Sequence, residues 1–70
     1  MKNPKITLPT SRELSVLRGV AHGLTNSEIA AHLNLSPLTV KAHLSNLRRK
    51  LGTGDRAHMV ALAMRAGVIS

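Results

Sequence analysis

Apolar side chains recur three and four positions apart in four stretches of the chain, the period of an amphipathic helix. Leu14, Leu17, Val20 and Ala21 form the first stripe. Ahead of it, Thr10-Ser11-Arg12-Glu13 has the spacing of a capping box: the threonine hydroxyl accepts from the amide three residues on, and Glu13 reaches back. Gly23 is expected to stop this helix. Gly19 inside it is a local weakness of ~1 kcal/mol relative to alanine. Thr25-Asn26-Ser27-Glu28 repeats the capping box ahead of a short helix with Ile29, Ala30 and Leu33 on one face, and Asn34-Leu35-Ser36 breaks it. Ser36-Pro37 is an N-cap followed by proline at the first helical position. The third helix then runs to about Leu51, where Gly52 stops it. Gly54 and Asp55 begin a fourth, ending near Ala66-Gly67, with Val68 and Ile69 folding back onto the core.

The expected fold is all-α: a four-helix bundle with a central helix-turn-helix, occupying residues 10–70. Met1 to Pro9 carries Lys2, Lys5 and two prolines without helical period, and reads as a flexible basic arm.

On a wheel at 100° per residue, Val40, Leu44, Leu47 and Leu51 share the core face of the third helix. The opposite face carries Leu38, Ala42, Ser45 and Arg49. Lys41 and Arg48 flank it on one side; Thr39, Asn46 and Lys50 flank it on the other. A face that is small at its centre and cationic at its edges suits a helix in the major groove. Small residues let the backbone approach the base edges, and long cations reach guanine or the flanking phosphates. The same pattern also suits an ordinary solvated helix surface. The amides that follow Thr25 and Ser36 are natural phosphate seats, because a helix N-terminus favours an anion. Asn26, Ser27 and Thr39 can join them.

Charge tips the balance. Ten Lys and Arg face three Asp and Glu, a net +7 on 70 residues. Such an excess points to an anionic partner, nucleic acid before membrane surface. No apolar run approaches the ~20 residues of a membrane span, and no interfacial helix with large apolar anchors is present. A cytoplasmic protein with no membrane partner is expected. There are no cysteines and no aromatic residues, so the core is aliphatic and unbridged. His22, His32, His43 and His58 form no His-x-x-x-His pair, so no metal and no cofactor is expected. No phosphate loop, nucleophile elbow or carboxylate pair suggests catalysis.

Arg12-Glu13, Val16-Leu17, Gly23, Asn26, Glu28-Ile29-Ala30, Leu33, Ser36, Thr39-Val40-Lys41, His43, Asn46-Leu47, Lys50-Leu51, Arg56 and Gly67 together resemble the LuxR-type helix-turn-helix family, which includes NarL-like and GerE-like regulators. The likeness runs from about Thr10 to Ile69 and is most specific over Ser36 to Leu51. It implies a non-enzymatic transcriptional regulator that binds double-stranded DNA as a dimer. The third helix would read the major groove and the fourth would make the dimer contact. The family's groove-facing positions fall on Lys41, Ala42 and Ser45. Its backbone-contacting positions fall on Asn26, Thr39, His43 and neighbouring basic residues. Arg12 and Glu13 match a motif that holds the fold together. Gly19, Thr53, Gly54 and Met59 depart from the family's usual residues.

The base-facing set is therefore Leu38, Lys41, Ala42, Ser45 and Arg49. The backbone set is Asn26, Ser27, Ser36, Thr39, His43, Arg48 and Lys50. On the fourth helix, Arg56, Met59, Val60 and Ala63 are expected to face the core. Ala57, His58, Ala61, Leu62 and Arg65 lie opposite. Ala61 and Leu62, with His58 and Arg65, are the candidate dimer contact, formed in solution or only on DNA. Scattered exposed apolar residues explain the same positions. RNA polymerase or a regulatory partner is the further protein contact this reading allows, and a protein-interaction module on the same fold is its competitor. Met1 and the short basic arm favour a stand-alone regulator over a piece of a larger one.

Overall fold

A computed structural model describes residues 9–69, so the arm expected over Met1 to Pro9 lies outside them except for Pro9. Helices α1 (Ser11–Ala21), α2 (Asn26–Leu33), α3 (Pro37–Leu51) and α4 (Arg56–Arg65) follow in order. Each begins where a side chain satisfies amides that a helix start leaves free. Thr10 Oγ1 accepts from Glu13 N at 3.1 Å, and Glu13 Oε1 accepts from Thr10 N at 2.9 Å. Thr25 and Glu28 repeat that reciprocal cap at 3.1 and 2.8 Å. Ser36 caps α3 through Thr39 N, with Pro37 in the first turn. Asp55 caps α4 through His58 N.

The helices end as locally. Asn34 takes the left-handed conformation at φ 57° and closes α2. Gly52 does the same for α3 at φ 75°, where a side chain would be strained. The turn between α2 and α3 is only Asn34-Leu35-Ser36, so the two helices form a helix-turn-helix with the longer helix second.

Helix α1 packs against the other three, α2 packs also on α3, and α4 packs on α1 and α3. The shared core holds Val16, Leu17, Ile29, Ala30, Val40, Leu44, Leu47, Met59, Ala63 and Ile69. Val68 and Ile69 fold back onto it, Val68 N bonding to Ala63 O at 3.0 Å. The buried face of α1 is rotated from the expected stripe: Glu13, Val16 and Leu17 are buried, Leu14 and Val20 are half-buried, and Ala21 is exposed. Val16 lies outside that stripe, and Glu13 is a carboxylate 3 % exposed that an apolar pattern does not count as core. Arg56 likewise departs from its expected core-facing place on α4 and is exposed.

Gly19 is a packing requirement. A Cβ there would lie 2.7 Å from Ile29 Cγ1, so its absence lets α1 and α2 approach closely. Met59 is 1 % exposed within the core, and Thr53 Oγ1 accepts from Asp55 N at the start of α4.

Candidate nucleic-acid interface

Because α3 buries Val40, Leu44 and Leu47, its opposite side is turned outward. Leu38, Lys41, Ala42, Ser45, Arg48 and Arg49 are all exposed, Leu38 by 76 %. All five residues expected to face the bases thus share one solvent-facing surface. Arg49 donates from Nη1 to Asn46 Oδ1 at 3.3 Å along the edge of that surface. No carboxylate occurs anywhere in α3.

Cap residues line the entrance to this face. Ser36 Oγ lies 2.9 Å from Thr39 Oγ1 and accepts from Thr39 N at 3.1 Å. One hydroxyl of the pair donates to the other, which leaves a second O–H free for an anion. Ser27 is exposed in the first turn of α2, and Asn26 beside it is half-buried. Asn26 Oδ1 accepts from Arg56 Nη1 at 3.1 Å, and Arg56 Nη2 lies 3.4 Å from Leu24 O. In that bond Asn26 uses its oxygen alone, and its side-chain NH2 carries two further donors.

Lys50 sits apart from the rest of the backbone set. Its side chain is 12 % exposed, and Nζ donates to Glu13 Oε1 at 2.7 Å. A charge this buried is held by its carboxylate partner, which it neutralises. Burial pushes the Glu13 carboxyl up, but the Lys50 ammonium, the Thr10 amide and nearby His43 outweigh it and hold the carboxyl below its ordinary value. His43 is half-buried beside this pair. Glu28 is also held low, first by the Thr25 amide and then by the Thr25 side chain.

The Asn26–Arg56 link escaped the sequence reading because its residues are 30 positions apart. It helps wall a cleft of about 200 Å³ lined by Asn26, Lys41, Leu44, Ser45, Arg48 and Arg56. On α4, Ala61, His58 and Arg65 are exposed, whereas Leu62 is half-buried. His58 Nδ1 lies 3.1 Å from Thr53 Oγ1. Met64 is the larger exposed apolar group of this helix, at 50 %. The sequence wheel gave it no role, although it falls beside Ala61 on the outer side. Among the described residues, no three His, Asp or Glu come together as a metal site, and no helix is long and apolar enough to cross a membrane.

Known proteins share this arrangement. The profile of the bacterial regulatory proteins, luxR family, matches residues 9–63. The nitrate/nitrite response regulator protein homolog of Haemophilus influenzae is 48 % identical over 60 residues, covering 86 % of this chain and 28 % of its own. Nitrate/nitrite response regulator protein NarP of Escherichia coli is 46 % identical over 56 residues, 80 % of this chain and 26 % of its own. The chain therefore spans little more than a quarter of these relatives. In the solved structures, response regulator ChrA of a heme-sensing two-component system superposes with a TM-score of 0.86 at 33 % identity, over 96 % of this chain and 33 % of that one. With its profile, its four helices and its helix-turn-helix in agreement, the chain belongs to the luxR family of bacterial regulatory proteins.

Proposed function

We propose that the chain is the sequence-reading DNA-binding domain of a transcriptional regulator, with α3 in the major groove. The observation that carries this is the outward face of α3: exposed throughout, free of carboxylates, small at Ala42 and Ser45, and cationic at Lys41, Arg48 and Arg49. Lys41, Ser45 and Arg49 hydrogen-bond base edges, while Ala42 and Leu38 meet thymine methyl groups. Asn26, Ser27, Ser36, Thr39, His43 and Arg48 hold the backbone phosphates and fix the register. Lys50 is left out of this set because Glu13 engages it.

The domain binds as a two-fold dimer through the outer side of α4, with Ala61 at its centre and His58, Leu62 and Arg65 around it. Met64 joins this contact, because half of its surface is exposed. The patch is small, so pairing occurs chiefly on DNA. As a bacterial regulator of DNA, the protein works in the cytoplasm. A regulatory partner or RNA polymerase completes the assembly; the likeness to a response regulator of a two-component system favours the former.

Selection of bound sequences from a random duplex pool at near-physiological salt tests the reading. Enrichment of a two-fold symmetric motif is the expected result. Recovery of unenriched sequence, with only weak salt-sensitive binding, would overturn sequence reading and leave attraction by a +7 surface.

A further inference from the structure

Helices α2 and α4 do not pack against each other. The Arg56 guanidinium nonetheless crosses between them, from the first residue of α4 to the first residue of α2. It stands at the positive end of α2 beside Lys41 and Arg48, which also line the cleft. Three cations and a helix N-terminus around about 200 Å³ repel one another unless an anion joins them. The described residues supply none. The chain has three carboxylates. Glu13 is bound to Lys50 and Thr10, Glu28 to Thr25, and Asp55 to His58 N. None lines the cleft.

What Arg56 touches is neutral: Asn26 Oδ1 and the Leu24 carbonyl. These contacts aim the guanidinium without cancelling its charge, and they use only part of its five donors. Arg48 lines the cleft as well, its side chain passing close to Gly54, where an added Cβ would sit 3.6 Å from Nε and 3.8 Å from Cδ. The space amounts to several waters at about 30 Å³ each and is filled by solvent or by a small ligand. Lys41 and Ser45 open it directly onto the outward face of α3.

We propose that this cleft seats one phosphodiester of the DNA backbone, and that Arg56, from the fourth helix, is a direct DNA-binding residue. The inference rests on the DNA-binding reading above and extends it from the helix-turn-helix to α4. A phosphate here is held by Arg56 and Arg48 and by the Asn26 amide, with the base-facing Lys41 at its rim. It also ties the helix assigned to dimer contact to the backbone that α3 straddles.

The test titrates a 30-base-pair random-sequence duplex over a series of salt concentrations with the wild type, Arg56→Gln and Arg18→Gln. The last removes the same charge from an exposed site on α1 outside the cleft. Arg56→Gln is expected to weaken binding and to make the slope of log affinity on log salt shallower by about 0.9 per bound subunit. Arg18→Gln should keep the parental slope. An unchanged slope in a folded Arg56→Gln overturns the inference alone, and a wild type that binds no duplex overturns the DNA-binding reading with it. Should Arg56→Gln fail to fold, the arginine Nε–H resonances of the wild type decide. The Arg56 resonance is expected to shift on adding the duplex and to stay in place with inorganic phosphate at the same phosphate concentration. No shift with duplex, or an equal shift with free phosphate, sinks the proposal.

Discussion

A carboxylate that is 3 % exposed, in a chain of 70 residues, demands a strong counterpart, and Glu13 has two. It closes the cap of α1 through Thr10 N and neutralises Lys50 from α3, joining helices whose contact residues are 37 positions apart. Removing one member of a buried pair leaves an uncompensated charge. Lys50→Met should therefore destabilise the domain by about 3 kcal/mol in urea unfolding; a loss below ~1 kcal/mol would make the pair a surface ornament. Acid probes the same contact. Because the folded-state pKa of Glu13 lies below its unfolded value, the pair's contribution is complete above about pH 5 and fades as pH falls through the depressed pKa. Glu28 acts in the same direction. Stability measured at pH 7, 5, 4 and 3 should drop only at the acid end, and Glu13→Gln should flatten the drop without abolishing it. Gly19 gives the opposite kind of test. Alanine there gains about 1 kcal/mol of helix propensity, yet its Cβ would overlap Ile29 Cγ1 at 2.7 Å, in a side chain 1 % exposed. Overpacking of about 1–3 kcal/mol outweighs that gain. Gly19→Ala should lower the thermal midpoint, and the same change made on top of Ile29→Ala should raise it.

At the scale of elements, the proposed division of work gives base reading to α3 and pairing to α4. Arg49→Ala is expected to weaken binding to a selected duplex by about 1–3 kcal/mol while random duplex loses less, because a base contact discriminates. Equal losses on both would move Arg49 to the backbone set. For α4 the variant matters. Leu62→Asp mixes interface with folding, since Leu62 is half-buried, whereas Ala61 is exposed. Ala61→Asp should leave the urea midpoint in place, keep half-site binding, and lose roughly tenfold or more, about 1.4 kcal/mol, on a two-fold site. Undiminished two-fold binding would remove this face from the interface. Which of these features could be read from the sequence follows from distance along the chain. All four helices, their three-residue caps and the outward face of α3 are set by residues within a turn or two, and the chain displays them. The start of α4 expected at Gly54 and Asp55 falls on Asp55 as the cap. The Glu13–Lys50 pair and the Arg56–Asn26 bridge join distant residues, so periodicity put Lys50 at the groove edge and Arg56 in the core. Polar groups brought inward or across a gap leave no trace in an apolar pattern.

For the whole molecule, the decisive quantity is how its charge is distributed. Ten cations against three acids give +7, and each acid is committed to a cap or a buried pair away from the α3 face. The surface where Lys41, Arg48, Arg49 and Arg56 stand is therefore positive with no carboxylate to offset it. If about 4–6 phosphates are neutralised per subunit, log affinity should fall with log salt at a slope of about −4 to −5 for one subunit and twice that for a dimer. The comparison of two duplexes carries the argument further. Phosphate contacts are shared by every sequence, whereas base contacts are made only with the selected one. Binding to a selected duplex and to a random one should thus fall along nearly parallel lines as salt rises. The gap between the lines is the energy of base reading and should persist when most of the affinity has been screened away. Fluorescence anisotropy from about 50 to 200 mM salt measures both lines. Parallel lines with a wide gap assign specificity to α3 and affinity to the cations around it; lines that coincide at every salt concentration would reduce the domain to a polycation and remove sequence reading from its function.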